Sequence, residues 1–274
     1  MAIRLFNFLK NDFCLFQPDD AVNNPVAYLL NFFKFDPHRL ADAADKQGFL
    51  IGKLVVRYHS FFEEGIVNTL IIAAFTVFFG TIFGTLMSSM RMSKILPLKW
   101  LAVAYIEFIR GTPLMVQLMF IFYGLPMVGF TLPDISWIPN FSRFSAGIIA
   151  MSINSCAYVA EIIRGGIMAI DKGQFEAGRS LGLGYAQTMI YIILPQAFKN
   201  VLPSLGNEFI VLLKETSVSG YIALQDLTKG GDIIRSQTYT AFMPLMAVAL
   251  IYLAMVMLFS WLLGKLERRL KNNE

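Results

Sequence analysis

The 26-residue stretch GIVNTLIIAAFTVFFGTIFGTLMSSM, at positions 65–90, carries no charge and decides the fold class. A helix that crosses the hydrocarbon core of a bilayer needs about 20 consecutive apolar residues, so this stretch is predicted to span a membrane. Gly80 and Gly84 stand four residues apart on one helix face, which allows a second helix to approach closely. The sequence is therefore predicted to belong to an integral membrane protein.

The composition of the whole chain supports that prediction. Of its 274 residues, 56% are hydrophobic and 15% charged, and the mean hydropathy is +0.57, whereas soluble domains carry about 25% charged residues. Proline removes a backbone hydrogen bond, so the second span is expected to bend at Gly111-Thr112-Pro113. The fold class is an all-α integral membrane protein with about five transmembrane helices. The four spans after the first are predicted at about 101–125, 144–163, 188–213 and 242–263.

Residues 1–60 differ from the remainder. They hold seven Lys and Arg residues between aromatic clusters, and no uncharged run reaches the roughly 18 residues of a spanning helix. We predict an amphipathic N-terminal extension that lies on the membrane surface or on the extracytoplasmic side. The transmembrane domain is then 61–274.

Basic residues are distributed unevenly between the predicted loops. The loops after spans one and three, with the tail after span five, hold ten Lys and Arg, and the other two loops hold four. The positive-inside rule places the first set in the cytoplasm. This distribution predicts a multi-pass protein of the cytoplasmic membrane, with its C-terminus cytoplasmic and its N-terminus outside.

The predicted cytoplasmic loop between spans three and four contains QFEAGRSLG at positions 174–182. A helix over about 174–181 is expected between Gly173 and Gly182, since glycine permits tight turns. A helix this short is not stable alone, so it needs a partner surface outside the bilayer. Ala177 and Gly178 are small enough to seat in a groove, and Glu176 offers a charge to a docked protein.

The spacing of this loop resembles the EAA loop of type I importer permeases of the ATP-binding-cassette (ABC) class. Gly178 stands where that family has a second alanine, which exchanges one small residue for another. Segments at 107–113, 157–166 and 207–209 resemble the branch that transports polar amino acids of the His, Glu, Gln and Arg type. The resemblance covers roughly 60–274, and the loop positions that carry it are Glu176, Ala177, Gly182, Ile192, Leu194 and Pro195.

The resemblance implies a permease subunit with five helices in the type I arrangement and no enzymatic activity of its own. A second permease, identical or similar, would pair with it in the lipid bilayer. A cytoplasmic ABC ATPase would dock on the loop, and a solute-binding protein would deliver the amino acid from outside. The chain has no phosphate-binding Gly-x-x-x-x-Gly-Lys-Ser/Thr motif, so ATP and Mg²⁺ are expected in the ATPase. No cofactor, metal or nucleic acid is expected in this chain.

Polar side chains in spans two and three are candidates for the substrate route. Asn154, Tyr158 and Glu161 share one helix face, and Asn154 falls near the middle of span three, where transporters commonly bind substrate. Thr112, at the bend, and Gln117, one turn on, complete the candidate set. The same residues can instead be polar contacts between helices.

Internal ion pairs are the alternative for the charged residues in these spans. Glu161 either contacts substrate or holds Arg164. Glu107 is expected to pair with Arg110, three residues on, in preference to contacting substrate.

Two other functions compete with this one. An ion-coupled secondary transporter would show internal repeats, which five unequal spans do not, and it would leave the loop unexplained. An intramembrane enzyme would need a nucleophile with a base, or metal ligands, inside the bilayer. The two histidines, His38 and His59, both precede the first uncharged stretch. The sequence therefore indicates neither a catalytic nucleophile with its base nor a set of metal ligands inside the bilayer.

Overall fold

The structure, a computed structural model, describes residues 51–134 and 140–271. The chain divides into two units between Lys53 and Leu54, and the helices given below belong to the second unit. The predictions made for residues 1–50 lie outside the described residues.

The described residues form helices and turns without a strand, in agreement with the predicted all-α class. A short helical turn at Tyr185–Thr188 and a π-helical turn at Met189–Ile193 lead into the helix that begins at Leu194, and a 3₁₀ turn at Thr216–Ile222 follows that helix. The helices are α1 (His59–Met92), α2 (Leu96–Arg110), α3 (Leu114–Met127), α4 (Phe141–Met168), α5 (Lys172–Ser180), α6 (Leu194–Glu215), α7 (Leu227–Thr238) and α8 (Phe242–Lys271).

The five predicted spans correspond to α1, the α2–α3 pair, α4, α6 and α8. By length and composition, α1, α4 and α8 each qualify as membrane spans. The predicted bend is confirmed and is sharp, because α3 turns by 102° from α2. The 22 residues of α6 are long enough to cross a bilayer at 1.5 Å per residue. Because α6 contains Lys199 and Glu208, it does not qualify by composition, so among the described residues up to four of the five predicted spans meet the criterion.

Helix α4 lies at the centre of the described helices and packs against α1, α2, α3 and α6. Its small residues allow close approach, and the predicted glycine pair of α1 faces it. A Cβ atom on Gly80 would lie 2.9 Å from the Ser155 hydroxyl oxygen, and one on Gly84 would lie 2.7 Å from a Val159 methyl carbon. Neither distance is sterically allowed, so the two helices touch because these positions have no side chain.

The segment between the 3₁₀ turn and α7 is tied to α1 through its backbone. Asn68 donates from its side chain to the Gln225 carbonyl at 2.7 Å, and the Leu227 amide donates to the Thr69 hydroxyl at 3.3 Å. The fully buried Asp226 caps α7 by accepting from the amides of Thr228 and Lys229.

The Asp226 carboxylate also accepts from the Tyr252 hydroxyl of α8, at 3.2 Å. Burial nevertheless raises the pKa of the Asp226 carboxyl above its usual range, although these hydrogen bonds act in the opposite direction. The start of α7 is therefore fixed by a buried acid.

Candidate functional site

Helix α5 is delimited at both ends by specific caps. At its start, the Asp171 side chain accepts from the Gly173 amide at 2.6 Å. At its end, Gly182 has a φ of 82°, and the amides of Gly182 and Leu183 donate to the carbonyls of Arg179 and Gly178. This pair of bonds is a Schellman motif, for which glycine is favoured. The prediction of Gly182 as the C-terminal boundary is confirmed, whereas the N-terminal boundary is Asp171 and not Gly173.

One side of α5 is seated on the turn that leads into α6. Gly178 is buried there, and a Cβ atom on it would lie 2.7 Å from the Thr188 methyl carbon and 3.0 Å from Ile192. The Phe175 ring stacks on the Tyr185 ring, with centroids 6.0 Å apart. The absence of a side chain at position 178 thus sets the distance between α5 and the helix that follows.

The opposite side of α5 is exposed. Glu176 and Ala177 are both exposed, and Leu181 at the helix end is 80% exposed. These three residues define the exposed face of α5. Leu181 was not among the predicted site residues, although its position four residues after Ala177 gives it the same helix face. Pro195 stands in the first turn of α6, directly after the π-helical turn.

Three of the five predicted route residues meet at the break between α2 and α3. The Gln117 side-chain nitrogen donates to the Ile109 carbonyl at 2.8 Å, and to the carbonyl and hydroxyl oxygens of Thr112 at 3.1 and 2.7 Å. The Asn154 amide of α4 donates to the Gln117 side-chain oxygen at 3.1 Å. The three side chains therefore complete the hydrogen bonds that the broken helix leaves open.

Tyr158 and Glu161 lie apart from that network. The Arg110 guanidinium sits over the Tyr158 ring, 5.4 Å from its centroid. The predicted pair between Glu107 and Arg110 is wrong, since among the described residues Glu107 forms no ion pair. Arg110 lies against the aromatic ring of α4 instead.

Glu161 joins two helices through arginine. One carboxylate oxygen pairs with Arg91 near the end of α1, and the other accepts from Arg164 at 2.9 and 3.2 Å. The predicted contact with Arg164 is confirmed, and Arg91 is an additional partner that spacing within one helix does not indicate.

A second carboxylate links α4 to α6. The Ser155 hydroxyl donates to the Glu208 carboxylate at 3.0 Å. Among the described residues, Glu208 has no basic partner within ion-pair distance. Ser155 was not predicted, because a serine in an apolar helix has no sequence signal that separates a packing role from a polar one.

A model of the family described as binding-protein-dependent transport system inner membrane component matches residues 60–272. The chain belongs to this family. The permease is 40% identical over 215 residues to the arginine transport system permease protein ArtQ of Bacillus subtilis (strain 168), covering 78% of the permease and 94% of that relative. It is 42% identical over 170 residues to the glutamine transport system permease protein GlnP of Escherichia coli (strain K12), covering 62% of the permease and 74% of that relative.

Solved structures show the same fold. A crystal structure of an amino acid ABC transporter with histidines shares 48% sequence identity with the permease at a TM-score of 0.73, covering 78% of the permease and 96% of that chain. The inward-facing MetNI methionine ABC transporter matches at a TM-score of 0.61 with 18% identity, which shows the fold alone. The permease is therefore a multi-pass membrane protein and a transport subunit.

Proposed function

We propose that the permease imports a polar amino acid and is driven by an ATPase that docks on the exposed face of α5. The observation that carries the proposal is the seating of α5. A helix of nine residues is held by two caps and by the contact at Gly178, yet it leaves Glu176, Ala177 and Leu181 exposed. A short, fixed helix with an exposed apolar residue and an acid has the form of a docking element.

Membership of the family supports the remaining subunits of this proposal. A second permease, identical or similar to this one, pairs with it in the membrane, and a solute-binding protein presents the substrate from outside. The ATPase holds ATP and Mg²⁺. The helix that carries Glu161 ends at Met168 and α5 begins at Lys172, so movement of the docked ATPase reaches α4 through a connection of only three residues.

The amino acid substrate is supported by the relatives named for arginine and glutamine. A free amino acid brings an ammonium and a carboxylate, and each needs a hydrogen-bonding partner inside a bilayer. The route proposed for it runs along α4, past Tyr158 and Glu161, with Thr112, Gln117 and Asn154 at its wall.

Uptake by the assembled transporter tests this function. The permease is reconstituted in proteoliposomes with its ATPase and its binding protein, and labelled arginine, glutamine, histidine and glutamate are offered without an ion gradient. We expect uptake of at least one of these amino acids, and only when ATP is present on the side of the membrane that carries the ATPase. Uptake driven by an ion gradient without ATP would instead make the permease a secondary transporter.

The orientation has its own test. In a background without Cys14 and Cys156, a cysteine at Ser93 is expected to react only from the cytoplasm, and one at Thr131 only from outside. The reverse pattern at both positions would place α5 on the wrong side for an ATPase.

A further inference from the structure

A cavity of about 450 Å³ lies between α1, α2 and α4, away from the exposed face of α5. Its volume is within the range of about 300–1,000 Å³ that is usual for small-ligand sites. No charged residue lines it. The walls include Phe79, Phe83 and Met87 of α1, Tyr105 of α2, and Ile149 and Ser152 of α4.

The few polar groups in this cavity cannot hold an amino acid. The Tyr105 hydroxyl already donates to the Ile153 carbonyl at 2.8 Å, and no side chain offers a charge to an ammonium or a carboxylate. Phe79 and Phe83 form an open rim, with 36% and 51% of their surface exposed. Both residues belong to the uncharged stretch that spans the bilayer. The molecules next to this rim are therefore lipids, whose acyl chains are apolar.

The end of the cavity near Met87 points towards a cluster of basic residues. Arg91, Lys94 and Lys99 lie at the turn that joins α1 to α2, and no Asp or Glu occurs between positions 65 and 106. Arg91 is held by Glu161, but Lys94 and Lys99 are exposed and form no ion pair among the described residues. Their charge is available to a phosphate group.

The distance between these two features matches one leaflet of a bilayer. From Phe79 to the end of α1 at Met92, the helix rises by about 20 Å. Half of a bilayer with its headgroup layer is about 20–22 Å thick. We propose that an anionic phospholipid binds here, with an acyl chain in the cavity between α1, α2 and α4 and its phosphate at Lys94 and Lys99.

The site can be filled without loss of a hydrogen bond. The buried Ser152 hydroxyl has no hydrogen-bond partner among the described residues, so Ser152→Leu fills the cavity and removes an unsatisfied group. Ile148→Phe is a second filling variant. Lys94→Gln with Lys99→Gln removes the charges, and Lys265→Gln is the matched control, because it removes one lysine at the end of α8.

Binding is measured by native mass spectrometry of the purified full-length permease, titrated with phosphatidylglycerol or phosphatidylcholine of identical acyl chains. We expect phosphatidylglycerol to bind more tightly, and each lysine substitution at positions 94 and 99 to lower its affinity about 5-fold. Ser152→Leu should lower the affinity for both lipids by about tenfold. Lys265→Gln should change the affinity for neither lipid.

Several outcomes overturn the proposal. If the wild type binds the two lipids with equal affinity, Lys94 and Lys99 do not bind the lipid phosphate as proposed. If Ser152→Leu and Ile148→Phe both bind lipid as the wild type does and melt at the same temperature, no acyl chain occupies the cavity. A shift from dimer to monomer in those variants, with lipid binding unaltered, would show that a second copy of the chain covers the cavity.

Discussion

Two of the interruptions between the described helices, the break between α2 and α3 and the segment around α5, differ in how their polar groups are paired. At the break between α2 and α3, Gln117 and Asn154 supply hydrogen bonds from within the chain and are nine-tenths buried. At α5, the helix is fixed on one side only, and Glu176 and Leu181 remain exposed on the other.

The contrast separates an interruption that the chain completes from one that needs a partner. A buried polar group without a partner costs about 1–3 kcal/mol, so the first break is stable only with its own network. The exposed face of α5 has no such cost in the free permease. Substitutions at the first place should therefore act on stability, and substitutions at the second on activity.

The largest effect is expected from Glu176→Lys. The change reverses the charge of the exposed face of α5 but breaks no contact of the fold, because only the Glu176 backbone accepts a hydrogen bond, from Ser180. Transport and ATPase co-purification should fall at least about tenfold, equivalent to some 1.4 kcal/mol of docking free energy. The melting temperature should not change.

A matched charge reversal provides the control for this prediction. Glu267→Lys alters a carboxylate near the end of α8, outside α5, and should leave transport unaltered. Normal transport by Glu176→Lys would show that α5 is not where the ATPase docks.

Gln117→Leu should have the next largest effect, on stability. It leaves the Thr112 carbonyl and the Asn154 amide without their partner, and the Ile109 carbonyl with only its bonds from Thr112. This loss is expected to lower the free energy of unfolding by about 2–3 kcal/mol. Thermal melting in detergent measures the loss, with Asn200→Leu on the exposed side of α6 as the control. A stable Gln117→Leu variant with altered substrate selectivity would instead assign the network to the substrate route.

Glu161→Gln distinguishes a structural clamp from a substrate contact. The ion pairs with Arg91 and Arg164 are partly solvent-exposed, so their loss should cost about 1 kcal/mol. If Glu161 is a clamp, adding Arg164→Gln should recover part of the lost melting temperature. A selectivity change with unaltered melting would mean that Glu161 contacts the amino acid.

The smallest effect concerns pH. Burial raises the pKa of the Asp226 carboxyl, so the folded state binds a proton more tightly than the unfolded state. The stability from this group is full below the ordinary aspartate pKa and is lost as the pH rises through the raised value. Asp226→Asn keeps an acceptor for the α7 amides and cannot ionise. Its melting temperature relative to the wild type should therefore increase from pH 4 to pH 8, and a constant difference would contradict the shift.

The apolar spans and the C-terminal boundary of α5 could be predicted because each depends on local sequence. As a helix, the uncharged stretch at 65–90 is longer than the hydrocarbon core of a bilayer is thick. Pro113 breaks the second span, and Gly182 permits the positive φ that ends α5. The α5 loop was found for the same reason, since its motif is continuous in the chain.

The contacts between distant segments could not be predicted. Arg91 meets Glu161 across 70 positions, and Ser155 meets Glu208 across 53. Helical periodicity assigns a residue to a face but does not identify the helix opposite. For the same reason, Asn154 could be placed near the middle of its span, but its partner Gln117 could not be named.

The contact between Gly178 and Thr188 makes the permitted residue at one position depend on the other. The family resemblance has alanine where this chain has glycine, and here an added methyl group would lie 2.7 Å from the Thr188 methyl carbon. The two positions therefore form one steric unit, whose combined volume is constrained while each member can vary. A transplanted loop that restores alanine at position 178 would need a smaller residue at position 188 as well, so a coupling loop of this kind is interchangeable only together with the turn that leads into α6.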